Sequence, residues 1–476
     1  MKQIRTRFAP SPTGFLHVGG IRTALFAWLL ARQNNGAFIL RFEDTDQKRE
    51  VAGARKHLMD SLHQLGLDYD EGPDIGGPFA PYTQSQRLAN YKIWADKLVA
   101  SGRAYADPYS IDEVQAYRDE ARANKQAFLY RNHRPETPPI WDGLRPLRFK
   151  SDPKPYAWTD AVMGDLQTGP EVIDDFIVMK SDGYPTYNFA HIIDDAEMEI
   201  THIMRGQEFL ASVPNYLNMY EALGLTPPIM ATMPHVMAEN GNKKLSKRDG
   251  AKDVLDYIRD GFMPETLRNF IASLGWNDGT EQEIFTTEEL VAKFSLDHVQ
   301  RSGARFDEKR LEWMNGTWIR GLPLDELAVR VAKYWPDEAA STSSEYKLSV
   351  LGLIQERLKF FNEIPELSRF FFIDLPVNPE LISGNKQLKK FTSYELLGWL
   401  QTARNEIADS NFSAADLTDR LNRLLETTGQ KPGVLFSLIR IATTQSPASP
   451  GLAETMALLG KDRCLERIDS QSTHLA

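Results

Sequence analysis

Cysteine is nearly missing: Cys464 is the only one in 476 residues. The chain therefore has no disulfide framework and no cysteine cluster able to hold a structural zinc, which suits a reducing compartment and makes the cytoplasm the expected location. Long apolar runs are missing too. No stretch approaches the ~20 uninterrupted apolar residues that span a bilayer, and the opening Met1-Lys-Gln-Ile-Arg-Thr-Arg-Phe8 lacks a signal-peptide core. Secreted and membrane readings drop out. There is also no excess of positive charge, with 55 Lys+Arg against 65 Asp+Glu and a formal charge of -10. A chain that coats nucleic acid indiscriminately has the opposite balance, so any nucleic-acid contact has to use local patches. What remains is ordinary globular composition, 42% hydrophobic and 25% charged, with length for roughly two to four domains.

The first forty residues read as strand, helix, strand. Ile4 to Phe8 is short and alternating, Pro10-Ser-Pro-Thr-Gly14 is turn chemistry, Ile21 to Arg32 is rich in Ala and Leu, and Ala37 to Phe42 is apolar again. That is the βαβ unit of a doubly wound parallel sheet. A helical stretch follows from about Val51 to Leu65. From 101 to 186 the pattern changes to a charged helix (about Ile111 to Asn124), a Pro-rich connector (Arg134 to Pro146) and short strands, which reads as an insertion. Apolar residues at Phe189 to Asp195 and Ile200 to Met204 restore the sheet pattern. Helices fill most of 251 to 320 and dominate beyond Gly321, with no internal repeat. The last stretch, 385 to 476, is close to neutral in an acidic chain, a weak candidate for a nucleic-acid face.

Two motifs carry chemistry. Directly after the first strand, Thr13-Gly-Phe-Leu-His17-Val-Gly-Gly20 leads into a helix. Glycines there admit an anionic ligand close to the backbone, and a helix N-terminus offers unpaired N–H groups with partial positive charge. His17 would aim its imidazole at phosphate oxygens, although a lone histidine before a helix is commonly a cap or surface residue. The spacing fits neither the dinucleotide fingerprint nor a P-loop. The second motif is Lys243-Lys-Leu-Ser-Lys-Arg248, between Glu239-Asn-Gly-Asn and Asp249-Gly250. Four cations and a serine on a Gly-flanked loop suit a polyphosphate and the charge that grows on departing pyrophosphate. Taken alone, such a run is a solvated basic loop. The two motifs together favour a nucleotide.

Arg7-Phe-Ala-Pro-Ser-Pro-Thr-Gly14, His17-Val-Gly-Gly20, Arg41-Phe-Glu-Asp-Thr-Asp46, Tyr184-Pro-Thr-Tyr-Asn-Phe189, Asp194-Asp195 with Ile200-Thr-His-Ile-Met-Arg-Gly206, and Lys244-Leu-Ser-Lys-Arg248 follow one another along the chain. In that order they resemble the motifs of class I glutamyl-tRNA synthetases, from residue 5 to about 320. The helical remainder resembles the bacterial-type anticodon-binding region. The resemblance implies a Rossmann-type catalytic domain (1–100 and 187–238), an acceptor-stem-binding insertion (101–186), a stem-contact region with the mobile loop (239–320) and an all-α anticodon-binding region (321–476). His17-Val-Gly-Gly20 matches the family's HIGH element and Lys244 to Arg248 its KMSKS loop. The implied catalytic residues are His17, Lys244 and Lys247. ATP would be held by His17, Gly19, Gly20, Glu208, Met237, Lys244, Ser246 and Lys247, and glutamate by Arg7, Ala9, Ser11, Glu43, Tyr187, His191 and Arg205.

Physics agrees with the second set, because a dicarboxylic amino acid needs cations for its side chain and an anion or hydroxyl for its ammonium. Arg7 and Arg205 would supply the first, Glu43 and Ser11 the second. Each residue also has a plainer role: Asp44 or Asp46 as a helix cap, Arg7 as half of a structural ion pair, Tyr187 as a core aromatic. Gln207 departs from the family's usual acidic residue, Phe209 replaces a larger or polar one, and His191 is similar to a glutaminyl enzyme's histidine. Arg205 and the helical C-terminal region point back to glutamate. The implied reaction joins glutamate to tRNA-Glu through a glutamyl-adenylate, using ATP and Mg2+, in a monomer with no zinc and no membrane contact. Three alternatives stay open: an enzyme that also charges tRNA-Gln, a glutaminyl-type enzyme, and a non-catalytic tRNA-binding paralogue.

Overall fold

The computed structural model describes residues 3–241, 243–245 and 252–476. The chain forms two compact units, one running to Arg259 and including Pro264–Glu308, the other made of Asp260–Met263 and Lys309–Ala476. In chain order the first unit contains β1 (Arg5–Phe8), α1 (Val18–Gln33), β2 (Ala37–Leu40), α2 (Ala54–Gln64), α3 (Leu88–Ala100), β3 (Ala104–Ala106), α4 (Ile111–Ala123) and β4 (Leu147–Phe149). It continues with β5 (Tyr156–Asp160), β6 (Gly164–Thr168), β7 (Ile177–Met179), α5 (Tyr187–Glu197), β8 (His202–Gly206), α6 (Val213–Leu223) and β9 (Ile229–Met233). Last come β10 (Val236–Met237), α7 (Val254–Arg259), α8 (Pro264–Ser273), α9 (Thr287–Lys293) and β11 (Ala304–Arg305).

The central sheet is wholly parallel, in the order β2-β1-β8-β9. This is the expected Rossmann-type α/β fold. Side chains of a strand alternate between faces, and β1 uses both. Thr6 donates to the carbonyl of Ala27 in α1 (2.8 Å), while Arg5 and Arg7 on either side reach the opposite layer, at Met198 O (2.9 Å) and Asp195 Oδ1 (3.0 Å). Helix α1 has buried residues on nearly every side, Ile21, Ala24, Leu25, Phe26 and Leu29 among them, because it lies between the sheet and helices α8 and α9. A helix apolar all round is a buried helix. The run Phe189–Asp195 is part of α5 rather than a strand, and only Ile200–Met204 leads into one, β8. A short apolar run has no period of its own, and from this helix Asp194 and Asp195 meet buried arginines.

The segment 101–186 carries the antiparallel sheet β3-β4-β7 and the hairpin β5-β6. Leu147, Phe149 and Val178 of its sheet share one core with Tyr91, Phe189, Ile193, Tyr216 and Tyr220 of α3, α5 and α6. Helix α4 is different. None of its residues is buried, and it starts at a capping box in which Ser110 and Glu113 bond each other's backbone N–H. An aromatic stack holds it instead: the His133 ring lies 4.1 Å from Tyr117 at 19° and 5.6 Å from Phe128 at 22°.

Beyond Gly321 the described elements of the second unit are helical. Leu400, Ile407, Leu417, Leu438, Met456 and Ile468 share one core there. Arg467 closes it by donating to the carbonyls of Phe370 (2.7 Å), Ile373 (2.8 Å) and Thr443 (2.6 Å), which satisfies helix-end acceptors. Burial pushes the Cys464 thiol up to about 12. Among the described residues no helix is long and apolar enough to cross a membrane.

If the stack orders α4, His133→Ala removes contacts worth about 0.5–1.5 kcal/mol beyond buried area. Amide exchange in 111–123 is then expected to rise about tenfold while the central sheet keeps its protection. Unchanged protection in α4 would show that the stack holds nothing.

Candidate functional site

The chain leaves β1 through the Pro10–Gly14 turn and enters α1 at Val18. His17 is the residue ahead of the helix, in extended backbone (φ -114, ψ 167), and its side chain does not cap the helix. At the glycines that follow, a Cβ would meet only the ends of flexible side chains. A Cβ on Gly20 would lie 2.7 Å from Leu16 Cδ1 and one on Gly19 3.3 Å from His17 Cε1. The exposed imidazole thus lies over the first turn of a buried helix, where the partial charge is positive.

Beside this turn a cleft of about 400 Å³ is lined by Ser11, Thr13, Glu43 to Asp46, Arg49, Lys180, Tyr187 and Phe209. Beneath it lies a buried ionic network. Asp195 accepts from Arg7 Nε (3.0 Å) and pairs with Arg41 NH1 (2.9 Å), and Arg41 NH2 in turn holds Glu43 Oε1 (2.8 Å). Burial opposes the charge on Asp195, yet Arg7 and Arg41 together hold its carboxyl well below the usual range. Burial pushes Glu43 the other way, up, against the attraction of Arg41 and Arg7.

Arg205, at the end of β8, stands apart from that network. It is 5% exposed, none of its three nitrogens makes a hydrogen bond of ordinary geometry, and it sits 5.5 Å from the Phe209 ring and 5.2 Å from that of Tyr216. A guanidinium does not give up its proton; burial works against its charge, the field of nearby Tyr187, Tyr216 and Asp195 offsets that, and no carboxylate lies at ion-pair distance among the described residues. Next to it His191 is 1% exposed and packed between Tyr187 (4.9 Å) and Tyr216 (4.6 Å). Burial pushes its imidazole down to about 3, so the ring is neutral at physiological pH, with Nδ1 3.7 Å from Asp195 Oδ2. Burial likewise raises the Tyr187 hydroxyl, which stays protonated.

A second cluster is built by β10 and the strand-like turn that follows. Met237 and Lys244 bridge antiparallel, with Ala238 N–H donating to Lys243 O (2.9 Å) and Leu245 N–H to Val236 O (2.8 Å). Lys244 Nζ lies 3.2 Å from Glu208 Oε1, and His235 Nδ1 3.7 Å from the other oxygen. Lys244 and Glu208, separate candidates in the sequence, are thus one ion pair. Phe209, next in the chain, stacks on Tyr187 at 5.4 Å and connects the two clusters. Ser246 and Lys247 lie outside the described residues.

The structure therefore brings Arg7, Glu43, Tyr187, His191 and Arg205 together below a cleft that Ser11 lines, and Ala9, on the same turn, is half-buried. Glu208, Met237 and Lys244 form the neighbouring group. Sequence reading missed the parts played by Arg41, Asp195, Tyr216 and Lys180. A signal existed for Arg41, two residues before Glu43 and on the same side of an extended segment. For Asp195 the only signal was its place in the Asp194-Asp195 motif, since its partners are 154 and 188 residues away in the chain.

Residues 3–313 match the family model described as tRNA synthetases class I (E and Q), catalytic domain, and 326–471 match one described as anticodon binding domain. The glutamate–tRNA ligase of Dehalococcoides mccartyi is 40% identical over 98% of this chain and 96% of its own. That of Roseiflexus castenholzii is 38% identical over 99% and 97%. The crystal structure of a glutamate tRNA ligase from Elizabethkingia meningosepticum, in complex with its amino acid, superposes with a TM-score of 0.87 at 30% identity, covering all of both chains.

Breaking a buried ion pair by removing one partner costs about 3–5 kcal/mol, and Asp195→Asn is expected to do so at pH 7. Because the folded pKa is depressed, the stability that Asp195 contributes is complete above the unfolded carboxyl value of about 3.9 and is lost as pH falls below it. Urea unfolding at pH 7 and pH 3 should therefore show the variant's deficit shrinking in acid. A deficit equal at both pH values would contradict the ionised assignment.

Proposed function

The chain belongs to the glutamate–tRNA ligases of class I, and from that premise we propose that Arg205 receives the side-chain carboxylate of L-glutamate, the observation that carries the site assignment being its buried and unbonded guanidinium. The enzyme is an ATP-dependent ligase that joins glutamate to tRNA. In our reading Arg7 and the Tyr187 hydroxyl complete the carboxylate pocket, His191 offers a neutral ring beside it, and Glu43 with Ser11 and the backbone at Ala9 takes the ammonium. A carboxylate met by two guanidiniums in a desolvated site gains charge-assisted hydrogen bonds that a neutral amide cannot match.

ATP would lie across the N-terminus of α1, with Gly19 and Gly20 under the phosphates, His17 and Lys244 at their oxygens, and Met237 and Glu208 on the nucleoside side. Ser246 and Lys247 are assigned to the same phosphates by their motif. The α-carboxylate of glutamate attacks the α-phosphorus, the bond to the β-phosphate oxygen breaks, and pyrophosphate leaves. The adenylate's carbonyl then passes to a hydroxyl of the terminal ribose of tRNA, and AMP departs. Positioning and charge stabilisation carry the rate, and no side chain needs to act as a nucleophile. Mg2+ would accompany the ATP phosphates. Among the described residues no group of three or more His, Cys, Asp or Glu could hold a metal ion; the insertion we propose is zinc-free.

For tRNA, we assign 101–186 to the acceptor stem, 239–320 to stem contact and 321–476 to the anticodon, with the anticodon-domain match over 326–471 in support. A cytoplasmic monomer is the assembly we propose.

The test of the site is Arg205→Cys, assayed with saturating tRNA. Glutamate kcat/KM is expected to fall about 10²- to 10³-fold, the size of a broken buried pair, while glutamine loses far less. Equal losses for both amino acids would make Arg205 a structural residue. Charging of tRNA-Glu and tRNA-Gln side by side reads the anticodon preference.

A further inference from the structure

One side chain of helix α2 touches the loop of the first motif on one side and, on the other, a residue just beyond the second motif in the chain. The His57 ring packs on Phe15 with centroids 4.7 Å apart at 42°, and Phe15 belongs to the loop that carries His17. On its other side His57 Nε2 lies 2.7 Å from Asp253 Oδ2, with the two side chains only 16% and 19% exposed. Asp253 is the residue before α7. Its other oxygen accepts from the Leu255 N–H (2.9 Å), and its carbonyl from the N–H groups of Asp256 (3.1 Å) and Tyr257 (3.4 Å). A single side chain therefore ties the loop ahead of α1 to the start of the helix that follows the Lys244-Leu-Ser-Lys-Arg248 motif.

Two further observations give that contact weight. His57 Nδ1 is buried and has no hydrogen-bond partner in the structure, so the ring's polar link is the one to Asp253. A histidine serving only as core filling would have both nitrogens satisfied or be replaced by an apolar residue. The platform beneath is also fixed to the first motif, because Val51 N–H donates to Pro12 O (2.9 Å) just ahead of α2 and Ala54 N–H to Val51 O (3.0 Å). The pair is largely shielded from water, and a hydrogen bond in a low-dielectric site is stronger than a solvated one.

We propose that His57 is a positioning residue for adenylate formation: through Phe15 on one side and Asp253 on the other, it keeps the His17 loop and the start of α7 in one register. This rests on the assignment of both motifs to ATP. His57 touches no reacting atom. Its effect is on the alignment of groups that do, and a misplacement of about 1 Å at such groups costs up to about 10²-fold in rate.

The experiment is ATP–pyrophosphate exchange by the full-length enzyme with tRNA and glutamate present. His57→Ala is expected to lower kcat about 10- to 10²-fold with glutamate KM unchanged, and His57→Gln, whose amide can still reach Asp253, to recover most of the loss. Phe15→Leu and Asp253→Ala are then combined. With His57 present their joint loss should fall short of the product of the single losses, and in the His57→Ala background the two should multiply. Multiplication in both backgrounds, or a His57→Gln variant no better than His57→Ala, would overturn the proposal. His17→Ala is the control that separates the two levels. Near-normal exchange in that variant overturns the ATP assignment and this inference with it, whereas a large loss there beside multiplying losses overturns this inference alone.

Discussion

A guanidinium keeps its proton in any protein interior, and that constraint organises the site around Arg205. The neighbouring arginines are paired: Arg7 and Arg41 with Asp195 and Glu43, and Arg87 with Asp194 and Glu197. Arg205, 5% exposed, has no carboxylate at ion-pair distance among the described residues, and its nitrogens make no hydrogen bond of ordinary geometry. L-glutamate carries one net negative charge at neutral pH and L-glutamine carries none. A buried guanidinium with no carboxylate at ion-pair distance is therefore given a partner by the first and left without one by the second. The cost of an uncompensated buried charge exceeds anything a neutral amide regains by hydrogen bonding, which turns a burial penalty in the free protein into substrate selection.

The fold makes such a buried cation tolerable by fixing every neighbour. Alternation along β1 sends Thr6 to α1 and Arg7 to Asp195. The α5 helix then presents Asp195 and His191 one turn apart, and β8 ends at Arg205 beside the rings of Tyr216 and Phe209. Aromatic faces attract a cation modestly without discharging it. They hold the guanidinium in place while leaving its donors open to a ligand. His191, neutral and 1% exposed, adds no competing charge.

Much of this was legible in the chain. The βαβ start follows from alternation, turn residues and a run of Ala and Leu, and the motifs mark both clusters because they are local. Sequence reading loses what long-range pairing decides. Asp195 is an acid in an apolar run until Arg7 and Arg41 arrive from the far end of the unit, and the same run reads as strand until its two aspartates find partners in a helix. Glu208 and Lys244 were both named, yet their pairing is a property of the hairpin at β10. His57 gave no signal at all, since its partners Phe15 and Asp253 lie 42 residues before it and 196 after it. Helix α4 was predicted from its charges, whereas the His133 stack that holds it depends on residues beyond the helix.

The central claim is that the buried Arg205 guanidinium is the seat of substrate charge. The direct measurement is a crystal structure of the full-length enzyme with L-glutamate bound. The account predicts the side-chain carboxylate within hydrogen-bond distance, about 2.7–3.2 Å, of the Arg205 nitrogens, with the ammonium at Glu43. A side-chain carboxylate away from Arg205, with that guanidinium still unpaired, would contradict it.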